Sequence, residues 1–161
     1  MNYQIRTALK EDLPRIEEIY AYARRFMAET GNPYQWGNKN PPTEVLVEDI
    51  RRGDLFIVEN ETGIHGVFFF LIGEDPTYLR IEDGHWLSDQ AYGTIHRIAG
   101  DGSGGVFKAA LDFCRNRISH LRIDTHHDNR VMQHVVQKHG FHRCGIIFLA
   151  NGDPRIAYEL L

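Results

Sequence analysis

Four glycines fall within six positions in the run Gly100-Asp101-Gly102-Ser103-Gly104-Gly105, which follows an alternating segment and precedes a helical one. Backbone amides in such a turn can converge on one ligand because no side chain blocks the approach, and the start of the following helix adds unpaired amides of its own. The guest such a site suits is a phosphate or pyrophosphate. No Gly-Lys-Ser or Gly-Lys-Thr follows the glycines, which excludes a Walker loop. Antiparallel hairpin signals on both sides argue against the parallel unit that carries a dinucleotide fingerprint.

Groups able to move protons are scattered. His126 ends an alternating run and titrates near neutral pH when unperturbed, so it can relay a proton; it reads equally well as a solvated or capping histidine. His96 alternates with Ile95 and Ile98 and faces either a cleft or a helix. Glu82 and Asp83 can attract an ammonium group, although acids in a turn such as Glu82-Asp83-Gly84-His85 often serve local hydrogen bonds. Tyr158, on a strand, is either a proton donor or core. Nine histidines raise the question of a metal. His134 and His139 do not share the i, i+4 face of a helical zinc pair and no fixed carboxylate partner is evident, so no metal is expected. Tyr34, Trp36 and Trp86 can wall an acceptor pocket or pack their loops onto the domain.

The elements that must position these groups follow from periodicity. Residues 3–7 alternate as a strand, and Leu13, Ile16, Ile19, Tyr20, Ala23 and Phe26 recur at helical spacing as far as Gly31. Gly31 to Pro42 is a Gly/Asn/Pro loop, after which Thr43 can cap a short helix ending at Gly53. Leu55 to Glu59 and Ile64 to Ile72 form a hairpin through Asn60-Glu61-Thr62-Gly63. Gly73 to Gln90 is irregular and is expected to extend the sheet edge. Thr94 to Ala99 is a strand leading into the glycine turn, and Val106, Ala109, Ala110, Phe113 and Cys114 mark a helix face. Leu121 to Thr125 is a strand, Asp128 or Asn129 caps a helix that stops at Gly140, and Cys144–Leu149 and Arg155–Leu160 close the chain around Asn151-Gly152.

Composition narrows the function classes. One core is expected over residues 1–161, and a formal net charge of −4 with no basic stripe excludes a nucleic-acid partner. The apolar stretch Gly66 to Ile72 is too short to span a bilayer and the charged N-terminus lacks a signal peptide's apolar segment, so no membrane partner and a cytoplasmic location are expected. Cys114 and Cys144 lack CxxC spacing and read as reduced, buried thiols.

This order of elements, with Ile95-His96-Arg97-Ile98-Ala99 leading to Gly105-Val106 and Asn129 followed by Lys138-His139-Gly140-Phe141, resembles the GNAT family of N-acetyltransferases over nearly the whole chain. The resemblance implies a mixed fold between α+β and α/β, with a central, mostly antiparallel mixed sheet flanked by helices. It also implies acetyl-CoA as cosubstrate and a small-molecule or peptide amine as acceptor, with direct transfer in a ternary complex; a homodimer is compatible. The strand before the turn would splay from Leu121–Thr125, leaving backbone groups at Ile98 and Gly100 for the pantetheine arm. Amides of Gly102, Ser103, Gly104, Gly105 and Val106 would hold the pyrophosphate, and Asn129 matches the asparagine that contacts the arm. Three positions depart from the family pattern: Gly102 stands in the Arg/Gln slot of the loop, Phe107 in a small-residue slot, and Val136 where the general-acid tyrosine is usual. The other reading is a GNAT-fold protein that binds acyl-CoA as a sensor or scaffold without turnover.

Overall fold

The computed structural model describes residues 2–161. In chain order the elements are β1 (Gln4–Thr7), α1 (Leu13–Glu29), α2 (Thr43–Arg52), β2 (Leu55–Asn60), β3 (Gly63–Ile72), β4 (Gly93–Gly100), α3 (Val106–Arg115), β5 (Leu121–Thr125), α4 (Arg130–Lys138), β6 (His142–Phe148) and β7 (Pro154–Leu160). The seven strands form one sheet in the order β1-β2-β3-β4-β5-β7-β6, antiparallel throughout except for the β4/β5 pair. This is the mixed, mostly antiparallel sheet expected above.

Continuous apolar runs such as Leu55-Phe56-Ile57-Val58 bury both faces of a strand, and helices must therefore cover both sides of the sheet. Phe56, Val58, Phe68 and Phe70 face one cluster with Val106, Ala110 and Cys114 of α3 and Val136 of α4. The alternate residues Leu55, Ile57 and Val67 face a second cluster with Ile16, Ile19, Tyr20 and Ala23 of α1 and Leu46 of α2. Phe68 is fully buried against Phe56 and Phe113, so truncating it to alanine should cost about 3–5 kcal/mol. At Gly66 a β-carbon would lie 2.5 Å from a Val106 methyl, which shows how closely the start of α3 is pressed onto β3.

The central irregularity lies in β4. Val67 pairs with Ala99 but Phe69 pairs with His96, leaving two residues, Arg97 and Ile98, opposite Phe68. That β-bulge inverts the side-chain alternation: Ile95 and Ile98 pack in the α3 cluster, whereas Ala99 packs in the α1 cluster. Arg97 takes a positive φ of 51°, a costly conformation for a residue with a β-carbon, which the surroundings enforce. Tyr20 donates to the Arg97 carbonyl at 2.7 Å, and Asp49 of α2 holds the Arg97 guanidinium at 2.5 Å.

Two expectations change in detail. Thr43 is the first residue of α2 rather than its cap; Pro42 occupies the cap position, and the Thr43 hydroxyl donates to Glu17 at 2.5 Å. The segment after β3 extends the sheet edge at one residue pair alone, Glu82 with Ile146, through hydrogen bonds of 2.9 and 2.7 Å. No helix among the described residues is long and apolar enough to cross a membrane.

Candidate active site

Strands β4 and β5 pair only at Gly93↔Leu121 and Thr94↔Arg122, and then diverge. From Ile95 onward the β5-facing edge of β4 is free of ladder partners, which is the opening the family resemblance implied. A cavity of about 490 Å³ occupies the gap. Its walls come from the bulge (His96, Arg97, Ile98), from β5 (Ile123, Asp124, Thr125), from the α1–α2 loop (Gln35, Trp36), from Asn129 and from Arg155.

The polar chemistry concentrates around His96. Its Nε2 lies 2.7 Å from Asp75 and its Nδ1 3.8 Å from Asp124, so the imidazole sits between two carboxylates. Tyr78 donates to Asp124 at 2.7 Å, and Asp75 accepts from the Thr77 backbone and hydroxyl at 2.9 and 2.7 Å. Burial alone would raise the Asp75 carboxyl, but the hydrogen bonds from His96 and Thr77 outweigh it and hold the group at about 2.

The glycine turn lies outside the cavity walls. Gly102, Gly104 and Gly105 all have positive φ, and Gly105 occupies the N-cap position of α3 with no side chain capping the helix. The first amides of that helix are thus open to an anion. Ser103 differs from the expectation, because its N–H is already bonded to Asp101 at 3.0 Å. Asp101 would oppose an anion were it not paired with Arg15 at 2.8 Å and His65 at 2.7 Å.

The remaining expected site residues divide. Asn129 lines the cavity, yet both ends of its amide are engaged: Oδ1 accepts from Met132 N–H at 3.0 Å, capping α4, and Nδ2 donates to Gln35 at 2.9 Å. His126 is buried next to Thr125 and stacked on His127, with Nδ1 accepting from the Asp128 N–H at 3.0 Å. Burial, Arg155 and His127 lower its pKa, so it is unprotonated at neutral pH. Glu82 lies at the β6 edge with its carboxylate on Arg80, outside the cavity. Tyr158 is buried in the larger core cluster, as is Val136. Of the aromatics, Trp36 lines the cavity and packs edge-on against Tyr20, Tyr34 is exposed, and Trp86 packs on Tyr78 elsewhere. Atoms of His126, His127 and Asp128 able to ligate a metal lie within 4.8 Å of one another, although His126 Nδ1 already holds a hydrogen bond.

Asp75, Asp124, Gln35 and Arg155 were not singled out from the sequence. Asp75 falls in the irregular segment from Gly73 to Gln90, and nothing in spacing links it to His96 or Asp124.

The same fold recurs in solved structures. A GNAT-family acetyltransferase from Streptococcus agalactiae superposes with a TM-score of 0.87 and 28% identity, covering 99% of this chain and 95% of that one. A GNAT-family acetyltransferase from Listeria monocytogenes gives 0.69 and 20%, with 98% and 95% covered. For yncA from Salmonella typhimurium, solved with its cofactor acetyl-CoA, the values are 0.61 and 13%, with 98% and 92% covered. No protein-family profile and no curated sequence matches the chain. In sheet order and in alignment across nearly its whole length, the chain is similar to GNAT-family acetyltransferases and has their fold.

Proposed function

We propose that the protein is an N-acetyltransferase that moves the acetyl group of acetyl-CoA to a primary amine by direct transfer in a ternary complex. The observation that carries this reading is the cavity between β4 and β5, which joins an unpaired strand edge to an imidazole set between two carboxylates.

The residues present fit the donor. The unpaired edge of β4 around Ile98 and Gly100 offers amide and carbonyl groups to an extended amide chain, which can add as a strand would. The uncapped start of α3, with Gly104, Gly105 and Val106, suits the pyrophosphate. Acetyl-CoA supplies an acyl carbon already activated as a thioester.

Acceptor chemistry falls to His96. Asp75 and Asp124 draw an ammonium group into the cavity, and the imidazole takes its proton so that a neutral nitrogen attacks. Asp75, bonded to His96 Nε2, stabilises the imidazolium as it forms. Attack forms the C–N bond and breaks C–S, and the departing thiolate takes its proton from solvent. His126 stands outside the cavity walls and its pKa is lowered by burial, so the acid's role is not given to it.

Binding without turnover is the second reading, and it draws on Val136, a core residue where the family pattern has a proton-donating tyrosine. One experiment separates the two: thiol release from acetyl-CoA across an amine panel, beside a calorimetric isotherm for coenzyme A. Acceptor-dependent thiol that falls ~100-fold or more in His96→Gln supports the transferase. Binding with no acceptor-dependent thiol for any amine favours the second reading.

A further inference from the structure

Arg155, the second residue of β7, is 6% exposed and lines the cavity. Its Nη1 donates to the Pro154 carbonyl at 2.9 Å and its Nη2 to the Gln35 carbonyl at 3.4 Å. Both acceptors are neutral. The other shielded guanidiniums all reach a carboxylate: Arg122 meets Glu159 at 2.9 Å, Arg97 meets Asp49 at 2.5 Å, and Arg6 meets Asp12 at 2.7 Å. Arg155 forms no ion pair among the described residues, and a guanidinium cannot shed its charge as a buried lysine can. The forked donor set of arginine suits a carboxylate.

We propose that the acceptor is an amino carboxylate, with its ammonium end at Asp75, His96 and Asp124 and its carboxylate on Arg155; this rests on the transferase reading. Arg155 sits beyond the end of β5, since Thr125, the last residue of that strand, pairs with Ile156. The cavity thus carries two carboxylates from Asp75 and Asp124 and one unpaired cation on a single wall system, complementary to a dipolar molecule. A single negative charge is favoured over a phosphate dianion, because Asp75 and Asp124 stand in the same cavity and repel a dianion more strongly than a single charge. Trp36, Met27, Val45 and Leu149 supply apolar wall for a hydrocarbon side chain.

The test uses matched pairs that differ only in the carboxylate: leucine with isopentylamine, and phenylalanine with phenethylamine. Because amine basicity differs within a pair, the quantity read is the change in kcat/KM preference on substitution at Arg155. Arg155→Met is expected to raise KM for the amino acids by on the order of 10- to 100-fold, with a far smaller change for the amines and for the coenzyme A isotherm. Arg155→Lys, which keeps the charge without the fork, is expected to fall between, and it serves where the methionine variant does not fold. Equal losses for both members of a pair, or weaker coenzyme A binding in the lysine variant, would overturn the assignment. A parent that binds coenzyme A and acetylates the amines but neither amino acid would overturn it and leave the transferase reading standing. A parent that binds no coenzyme A would overturn both.

Discussion

Gly105→Asp places a charge where the account puts the pyrophosphate. At φ 77° a side chain strains the backbone by about 1–2 kcal/mol, but space is not the obstacle, since the nearest atom to a β-carbon there is Tyr3 Cε2 at 3.4 Å. The electrostatic penalty dominates. Two unit charges ~5 Å apart at an effective dielectric of ~20 repel by about 3 kcal/mol, and exposure of the turn discounts this to roughly 1.5–3 kcal/mol, or ~10- to 150-fold in Kd. Gly105→Ala carries the same strain without the charge and isolates the term. Calorimetry with coenzyme A at low and high salt should show the aspartate variant much weaker than the alanine variant at low salt, with the gap narrowing as salt rises. Equal affinities for the two variants would mean that the diphosphate is not held at this turn.

Three further outcomes follow from the same geometry. Asn129→Ala removes the α4 cap and should cost about 1–2 kcal/mol in urea unfolding, with at most a severalfold loss of coenzyme A affinity; unaltered stability would contradict the capping bond from the Met132 N–H. Glu159→Gln leaves Arg122 and His120 without their buried counter-charge, bonded at 2.9 and 2.6 Å, and should destabilise by about 3–5 kcal/mol; a loss below ~1 kcal/mol would show the network to be incidental. Asp75 is held at about 2 against an ordinary 3.8, so its contribution of about 2 kcal/mol is present above pH ~4 and lost as pH falls through ~2. The stability gap between the protein and Asp75→Asn should therefore shrink over that window, and a gap independent of pH would refute the His96–Asp75 pairing.

Much of the fold was legible because hydrophobic period is a local property. The helix stripe of Ile16, Ile19, Tyr20 and Ala23 and the two-faced runs of β2 and β3 each announce their element within a few residues. The glycine turn was legible for the same reason, as positive φ at Gly102, Gly104 and Gly105 is what such a run is for. The bulge at Arg97 and Ile98 was not, since an inserted residue leaves the composition of a strand unchanged and only pairing with β3 reveals the shift. The acid–imidazole cluster was hidden more deeply. Asp75, His96, Asp124 and Arg155 come from four separate parts of the chain, and only the sheet order brings them to one cavity. Tyr158 illustrates the converse, an aromatic whose type suggested chemistry and whose place is the core.

The central claim is that coenzyme A lies in the gap between β4 and β5 with its diphosphate at the start of α3. An amide-resolved NMR titration of the labelled protein with acetyl-CoA tests it directly. The account predicts the largest shifts at residues 96–100 and 104–107 and at Asn129. Shifts centred instead on the second hollow around Trp86, Leu87 and Tyr92, or no shifts at millimolar acetyl-CoA, would contradict it.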